Sequence, residues 1–519
     1  MLFSSIMSKK VSWKFSVKTI LLSCSFFLFV AAGAQVTTSP YSRYGLGDFQ
    51  FTGFVQGIGM GGGGIGMRND SLLVQYINMN NPASLTSNNI VAYEVGLQSN
   101  TSLLRNDTAS AVLNRSTLSH IGLAFPIAKW WSGAIGLVPY SSVGYNVSNS
   151  EVRDTIGNIT YKYEGSGGIS QVFTSHAFRP FSGLPAYYKN TSRYDQLVTS
   201  RDTVKLKKAI ALRNGLSNIS VGATVSYLFG PLNNVRRDIF PDSSYSLNTR
   251  ITRTTTIRDV YASYGAQYRF RLPIVNPKYK TLKKDTTGLL CDKSIGDNYF
   301  CFRKTPGGVC SDTSKLFIKS PQGAQVSFGA VFALPVSVRA TTDLYAQTYK
   351  LNAGFETFID TVYNQSDASG NIVLPAMFGF GFAVKKDFRW QFQADYAQQM
   401  WENFTFLGET TDLKNSERMT AGVQWQPKVN YRRNYFANVQ YRFGARYYKT
   451  YLELKGTQLR EYGITAGFGF PVRELGRINL GLEAGRRGTT ESNLIEENYF
   501  RVMFTVSVND RWFQRLRYD

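Results

Sequence analysis

Long apolar runs are missing from most of this chain. After the N-terminal region, no uninterrupted run of 18 apolar residues occurs in the 519-residue sequence. Because a transmembrane helix needs about 20 such residues, the sequence excludes a polytopic helical membrane protein. Charged residues are also scarce, at 18%, whereas aromatic residues reach 14%. A disordered chain has few aromatics, so this composition predicts a folded body.

Histidine and cysteine are scarce, which limits the available chemistry. The sequence contains two histidines, His120 and His176, and four cysteines. A catalytic triad needs a histidine base oriented by a third group, and no nucleophile motif accompanies His176. The glycine run 61–64 is not followed by Gly-Lys-Ser/Thr, so it is not a P-loop. We therefore predict no enzyme activity, no cofactor and no metal site.

The first 34 residues are typical of an export signal. Four lysines precede the short apolar stretch 20–30, and Ala32-Gly33-Ala34 fits the rule for signal cleavage. We predict a signal peptide at 1–34 and a mature chain that starts at Gln35. A lipoprotein signal is the alternative, because Leu21-Leu22-Ser23-Cys24 resembles a lipobox.

Three cysteines remain after the predicted signal is removed: Cys291, Cys301 and Cys310. An exported protein reaches a compartment that permits disulfides. Three cysteines within 20 residues allow one disulfide and one spare thiol, and the sequence does not choose the pair.

The body of the chain alternates between apolar and polar residues over stretches of about ten residues. Near the C-terminus, the apolar positions of one such stretch are Phe500, Val502, Phe504, Val506 and Val508. Similar alternation occurs around 91–98, 219–227, 388–396 and 461–470. A period of two residues predicts β-strands with one apolar face.

A β-sandwich and a membrane barrel both fit this alternation, and two features favour the barrel. Aromatics stand near the ends of apolar faces, as at Trp130, Trp131, Trp401 and Trp512, and membrane interfaces favour aromatics. The opposite faces are rich in glycine and mixed charges, as a watery lumen tolerates. We predict an all-β protein in which residues 90–519 form a transmembrane antiparallel barrel of about 14 strands in a Gram-negative outer membrane.

Connections in the predicted barrel differ in length. Tight turns near 126–130 and 384–387 contrast with two long polar segments at 149–216 and 273–320. Since outer-membrane barrels combine short periplasmic turns with long outer loops, we predict that both long segments are extracellular insertions. Their basic character, in a chain of net charge +23, suits anionic lipopolysaccharide better than nucleic acid, with simple solvation as the plain alternative.

Residues 35–89 do not alternate and are dense in glycine. Glycine permits close approach of main chains and positive φ angles. This segment therefore suits a compact hatch or plug inside the barrel, and a flexible leader is the alternative.

The order of several motifs resembles the FadL-type outer-membrane family of long-chain fatty-acid and hydrocarbon transporters, in its Bacteroidota branch. The motifs are Gly57–Gly62, Asn81–Leu85, Phe125–Ile127, Gly136–Tyr145 and Leu374–Gly379. The resemblance implies a hatch with a gating role and a kinked third strand beside a lateral gap. The hatch candidates are Gly57, Gly59, Gly61, Gly62, Asn81, Pro82 and Ala83, and the lateral-gap candidates are Gly136, Pro139, Tyr140 and Gly144.

The resemblance also implies passive uptake of a hydrophobic small molecule through the lumen and the lateral gap. The chain departs from an acyl tunnel, because its predicted inward faces carry many charges: Glu94, Arg389, Asp395, Arg442, Arg446, Glu461, Glu483 and Arg501. The alternative is a non-transporting subunit of an outer-membrane secretion or assembly complex, a role that FadL-type barrels also have as a shuttle in type IX secretion. The implied partners are outer-membrane lipid, a hydrophobic ligand and other outer-membrane proteins.

Overall fold

A computed structural model describes thirteen stretches of the chain. They are 39–50, 54–69, 75–154, 156–181, 215–241, 246–272, 289–295, 298–303, 324–352, 355–386, 389–427, 434–472 and 476–510. The predicted signal peptide, Cys310 and Trp512 lie outside the described residues.

Fourteen long strands form the main sheet. They are β1 (Val91–Arg105), β2 (Ser110–Ala128), β3 (Trp131–Arg153), β4 (Gly157–Phe178), β5 (Ile219–Ile239), β6 (Asn248–Leu272), β7 (Ala324–Ala333 and Val336–Asn352), β8 (Phe355–Leu374 and Met377–Lys386), β9 (Trp390–Gln399), β10 (Ser416–Trp425), β11 (Gln440–Leu454), β12 (Thr457–Val472), β13 (Gly476–Arg487) and β14 (Glu496–Asp510). Strands β7 and β8 are each interrupted at a proline, Pro335 or Pro375.

The sheet closes on itself. Each strand pairs antiparallel with the next, and β1 pairs with β14 from Val91–Asp510 to Arg105–Glu496. Closure removes the exposed edges that an open sheet would present. The predicted all-β antiparallel barrel of about 14 strands is confirmed.

Short elements complete the described structure. The helical turns are Pro40–Arg43, Val55–Ile58, Pro82–Ser87, Trp401–Asn403, Tyr435–Asn438 and Glu491–Asn493. The short strands are Asp48–Phe49, Thr405–Phe406, Glu409–Thr410 and the separate hairpin Leu289–Ile295 with Asn298–Arg303. Among the described residues, no helix is both long enough and apolar enough to cross a membrane.

The two faces of the strands differ as the alternation predicts. On β14, Phe500 and Val508 are about half exposed, whereas Thr505 and Ser507 are fully buried inside the barrel. Ile464 on β12 is 69% exposed, so the apolar face points outward. A lipid-facing band explains why these large apolar side chains remain outside.

Aromatic side chains crowd one end of the barrel. Trp130, Trp390 and Trp425 are exposed there, and Trp390 stacks on Trp425 with ring centroids 5.8 Å apart. The prediction for Trp401 is wrong: this side chain is fully buried inside the barrel, where it packs on Tyr451. Trp401 follows the end of β9, and the chain turns inward there instead of toward lipid.

The described strands that flank the two long insertions end on the side of the barrel that carries the tight turns. Residues 149–178 belong to β3 and β4, so the first insertion covers only the stretch between Phe178 and Ile219. Phe178 is the register partner of Trp131, beside a tight turn, and Leu272 opens the second insertion at the same end. Both termini of the barrel are also there. Short turns of outer-membrane barrels face the periplasm as a rule, so we call this end the periplasmic end and the opposite end the extracellular end; the side of the membrane on which the insertions lie stays a prediction.

Candidate functional site inside the barrel

The described residues between 39 and 90, here called the inner segment, lie against the inward faces of many strands. A Cβ added to Gly422 on β10 would lie 2.5 Å from the carbonyl oxygen of Met60. A Cβ on Gly222 of β5 would lie 2.7 Å from the amide of Ala83. Wall glycines that approach atoms of the segment closely include Gly222, Gly265, Gly329, Gly381, Gly422, Gly444 and Gly467.

These wall glycines have a structural reason that the sequence alone conceals. Alternating glycines on the inward faces predict a watery lumen. Instead, they leave room for the main chain of the inner segment, which any larger side chain would displace. The inward glycines of the wall and the glycines of the inner segment therefore form one packed contact.

Asp395 of β9 holds the glycine turn of the inner segment. Its carboxylate accepts hydrogen bonds from the amides of Gly64, at 2.5 Å, Ile65, at 3.0 Å, and Gly66, at 3.4 Å. The side chain is 9% exposed. Hydrogen bonds to a carboxylate are stronger than neutral ones, so Asp395 fixes this turn to the wall.

Glu94 of β1, across the lumen from Asp395, binds two parts of the inner segment that are distant in sequence, near Gln56 and near Ile77. Its carboxylate accepts from the side chain of Gln56, at 3.2 Å, from the amide of Ile77, at 3.2 Å, and from Ser507, at 2.6 Å. Glu94 is fully buried. A buried carboxylate needs such donors, and here two of them come from the inner segment.

The basic residue Arg68 fixes the end of the same turn. Its guanidinium donates to Ser220 of β5, to Gln267 of β6 and to Thr86 of the inner segment, each at 3.1 Å. Arg68 is 5% exposed. Sequence reasoning missed this residue, because an arginine in a segment without alternation gives no signal of burial.

A cluster of charged side chains lies on the inner faces of the adjacent strands β11 to β14. Arg446 pairs with Glu461 and, at 2.7 Å, with Glu483, and Arg501 pairs with Glu483 at 3.0 Å. The hydroxyl of Tyr499 donates to Glu461 at 2.8 Å. The side chains of Arg446 and Glu483 are almost fully buried. These predicted inward charges therefore face each other and are compensated.

Two other charged residues that the sequence places on inward faces, Arg442 and Arg389, do not belong to this cluster. Arg442 is 1% exposed and donates to Gln424, at 2.8 Å, and to Asn479, at 3.1 Å. Arg389 is not on an inward face: it lies in the turn before β9 and is exposed. A turn residue can adopt either side, which the alternation of the following strand did not reveal.

The N-terminal part of the inner segment packs near the extracellular end. Leu46, Phe404, Trp401 and Tyr451 belong to one buried apolar cluster that spans the interior. Burial raises the pKa of Tyr41 to about 12, so its hydroxyl stays neutral and donates to the carbonyl of Ile495. Packed side chains thus occupy the barrel above the glycine turn.

The inner segment also adds a strand to β3. Asp48 and Phe49 pair with Ser142 and Ser141, and the carboxylate of Asp48 bonds Arg487 of β13 at 2.9 Å. The side chain of Gln50 donates to Ser142 at 3.2 Å. This short strand therefore covers part of the free edge of β3.

That edge is free because β2 and β3 separate. Their pairing runs from Ala128–Trp131 to Ile121–Leu137 and stops there. Beyond it lies Pro139, which lacks an amide donor, and Tyr140 forms a bulge against β4. We call the space between Ser110–His120 and the facing part of β3 the slit. The predicted lateral-gap residues Gly136, Pro139, Tyr140 and Gly144 lie within or beside it on β3, and their gating role stays a prediction.

A cavity of about 160 Å³ lies in the interior, between the inner segment and the wall strands β3 to β11. Phe49 and Tyr140 line it, and their rings meet edge to face at 5.4 Å. The rest of the lining is mixed, with apolar Ile65, Met79 and Val331 beside polar Gln171, Ser263 and Arg418. Ligand pockets usually measure about 300–1,000 Å³, so this space is too small for an acyl chain.

The predicted hatch residues lie together in the inner segment. Gly57 and Gly59 belong to the turn at Val55–Ile58, and Gly61 and Gly62 have φ angles of +83° and +81° that favour glycine. Asn81, Pro82 and Ala83 start the turn Pro82–Ser87, where the Asn81 side chain accepts from the Ala83 amide at 3.0 Å. All seven are buried. Their gating role and the boundary at residue 89 stay predictions.

Two cysteines have described main chains. Cys291 and Cys301 are register partners in the hairpin outside the barrel. Which two of the three cysteines form a disulfide stays a prediction. Among the described residues, no group of three or more histidine, cysteine, aspartate or glutamate side chains could hold a metal ion.

The fold and the filled interior define this chain as an outer-membrane-type β-barrel protein. The BamG family model matches residues 16–195 and 318–519, which is most of the sequence, and the chain belongs to the BamG family. No curated protein matches the chain.

Several solved structures resemble it at low identity. They include the CymD monoaromatic hydrocarbon channel, with 11% identity, a TM-score of 0.47 and coverage of 90% of this chain and 100% of that chain. A Pseudomonas aeruginosa FadL homologue has 10% identity, a TM-score of 0.47 and coverage of 88% and 98%. The Pseudomonas putida toluene transporter TodX has 14% identity, a TM-score of 0.46 and coverage of 92% and 100%. The sequence motifs resemble the same FadL-type family, and the Bacteroidota branch stays a prediction.

Proposed function

We propose that this protein is a non-transporting barrel subunit of an outer-membrane secretion or assembly complex. The observation that carries the proposal is the way the inner segment is fastened. Asp395, Glu94 and Arg68 bind it on three parts of the wall, and wall glycines admit its main chain without space to spare. A hatch that must move for each substrate would have to break all these contacts.

The charges of the interior support the same role. The cluster of Arg446, Glu461, Glu483 and Arg501 is compensated within the wall. Ion pairs of this kind hold elements in one arrangement and offer no apolar path for a hydrophobic solute. The filled barrel then serves as a rigid membrane anchor.

The two insertions supply a surface for partners. Residues 182–214 contain seven lysines and arginines against two acids, and residues 273–323 contain nine against four. Both leave the barrel at the end that carries the tight turns, which we propose faces the periplasm. A basic surface attracts acidic partners and raises their rate of association. We therefore propose that periplasmic or outer-membrane proteins dock at this end.

Purification from native membranes in a mild detergent tests the proposal. We expect a stoichiometric complex, and a variant with Lys205, Lys207 and Lys208 changed to Ser should lose partner while the barrel stays folded. A matched variant with Arg105, Arg153 and Lys350 changed to Ser, at the opposite end, should keep its partners. A barrel that purifies alone from native membranes under all conditions contradicts the proposal.

Passive uptake of a hydrophobic small molecule is the second candidate. The cavity beside Tyr140 and the separation of β2 from β3 favour it. CymD and TodX are described as a monoaromatic hydrocarbon channel and a toluene transporter. A deletion strain that takes up labelled long-chain fatty acids and toluene at the normal rate would remove this candidate.

A further inference from the structure

The outer surface of the barrel carries a polar patch beside the slit. Its members point outward on β1 and β2: Ser99, Thr101, Asn114 and Ser116. Their hydroxyls and amide bond one another, with Ser116 donating to Ser99 at 3.1 Å and Ser99 to Asn114 at 3.4 Å. On the neighbouring strand β14, the outward positions from Phe500 to Val508 are apolar, so the patch needs an explanation.

The patch lies at the depth of the lipid band. Ser99 is the register partner of Val502 and Thr101 that of Phe500, whose ring is 48% exposed. Apolar pairs continue toward the extracellular end, where Leu103 and Val112 are register partners and are 42% and 66% exposed. The patch is therefore bordered by apolar positions on β14 and at the upper ends of β1 and β2, so it does not merely mark where the membrane ends.

An unpaired strand edge borders the patch. On the side facing β3, residues 110–120 of β2 pair with no strand among the described residues. Side chains bridge the slit on its inner side, where Arg115 donates to Ser142 at 2.7 Å and Gln98 donates to Gln50 at 2.9 Å. These bonds use side chains and leave the main-chain groups of the edge without a strand.

A hydrocarbon chain cannot satisfy such an edge. Within lipid, every main-chain amide and carbonyl needs a hydrogen-bond partner, which is why open sheet edges do not face the bilayer. The facing edge of β3 already follows this rule, because Asp48 and Phe49 pair with it. An added strand supplies the same groups to β2, and its side chains also reach polar neighbours on the outer surface.

We propose that an extended segment of a partner outer-membrane protein pairs with the edge of β2 at residues 112–119 and covers the polar patch. This inference rests on the proposed role as a subunit of a complex. It specifies a second contact, within the membrane, that is separate from the basic insertions at the periplasmic end.

Site-specific photo-crosslinking in native membranes tests the pairing. A benzoylphenylalanine is placed in turn at Val112, Asn114, Ser116 and Leu118, with controls at the lipid-facing positions Ile464 and Val508. We expect the four edge positions to crosslink one protein, and the controls to give lipid adducts only. Peptide mapping should then show that each two-residue step along β2 moves the crosslink by two residues along one partner segment.

A variant test adds an independent readout. Changing Asn114 and Ser116 to Leu makes the patch apolar, and we expect the crosslink from Leu118 to fall at least fivefold while the barrel keeps its heat-modifiable mobility in gels. Changing Val506 to Ala on the lipid-facing wall is the matched control and should leave the yield unchanged.

The outcomes separate this inference from the proposed function. Lipid adducts alone at all four edge positions, or crosslinks without the two-residue register, would overturn the strand pairing. If partners still co-purify in that case, the subunit role survives and the membrane contact does not. If no partner co-purifies and no edge position crosslinks protein, both fail.

Discussion

Gly444 in β11 and Gly61 in the inner segment lie main chain against main chain. A Cβ added to Gly444 would lie 2.8 Å from the Cα of Met60, which precedes Gly61. A Cβ added to Gly61 would lie 2.5 Å from the carbonyl oxygen of Ala445, which follows Gly444. Contacts below 3.0 Å between a Cβ and a main-chain atom force something to shift. The pair therefore locks the depth at which the inner segment lies in the barrel.

Changing Gly444 to Leu should release the inner segment. The added side chain cannot fit, so the segment must move while the outer strands remain paired. Arg68 is the only lysine or arginine between residues 44 and 90. Because trypsin cleaves after lysine and arginine, cleavage after Arg68 reports whether the inner segment has become accessible. We expect tryptic cleavage after Arg68 in the folded variant and none in the parent, as read by mass spectrometry.

The control for this experiment is Gly215 changed to Ala. The nearest atom to its added Cβ is the hydroxyl of Tyr268 at 3.7 Å, an ordinary contact. This variant should resist cleavage after Arg68 as the parent does. Equal protection of Arg68 in the Gly444 variant would show that the wall tolerates a side chain there and would contradict the lock.

The second prediction concerns the hydrogen bonds that Asp395 accepts from the inner segment. Changing it to Asn keeps the shape but replaces a carboxylate that accepts from Gly64 and Ile65 by a neutral amide. Loss of charge-assisted bonds costs about 1.5–3 kcal/mol. Local opening of the inner segment should therefore rise roughly 10- to 100-fold. The rate of cleavage after Arg68 measures this, with Asp107 in the exposed β1–β2 turn changed to Asn as the control.

A cleavage rate that does not differ between the Asp395 variant and the Asp107 control would mean that the glycine contacts alone hold the segment. That result would also weaken the proposed role, because a segment held only by packing is easier to displace.

The alternation of single strands was sufficient to predict the barrel, but not what fills it. Phe500 to Val508 show their outward face in the sequence, because lipid demands apolar residues at every second position. No comparable sequence rule predicts which inward-facing residues contact one another across the lumen. Trp401 and the glycine Gly444 therefore gave misleading signals, since burial inside the barrel follows from contacts between parts distant in sequence.

The extent of the first insertion was not predicted correctly, for a related reason. Residues 149–178 have few apolar alternations, because β3 and β4 extend beyond the lipid band and both faces meet polar surroundings. A strand without that signal resembles a loop. The first insertion, predicted at 149–216, therefore includes parts of β3 and β4.

The buried charge cluster predicts that a single substitution, Glu483 to Gln, lowers the stability of the barrel strongly. Glu483 accepts from Arg501 and pairs with Arg446, and its side chain is fully buried. Changing Glu483 to Gln leaves two arginines facing one carboxylate, Glu461. Removing one partner of a buried ion pair costs about 3–5 kcal/mol. We expect the urea midpoint of unfolding in lipid vesicles, followed by tryptophan fluorescence, to fall clearly.

Glu402 changed to Gln is the matched control, because it is the same substitution at an exposed site. It should shift the midpoint within error. An unchanged midpoint for the Glu483 variant would indicate that water enters the cluster and screens it, contrary to its burial.

The orientation of the insertions is the last prediction, and intact cells can test it. A single cysteine is introduced at Thr203 in the first insertion or at Asp107 in the β1–β2 turn, in a chain whose own cysteines are changed to serine. The strand order places Asp107 at the end opposite to the one from which the first insertion leaves, and we expect Asp107 to face the cell exterior. A maleimide reagent that cannot cross the outer membrane should therefore label the Asp107 variant on whole cells and the Thr203 variant only after the envelope is broken. Labelling of the Thr203 variant on intact cells would return the insertions to the cell surface and would remove the periplasmic docking surface from the proposed function.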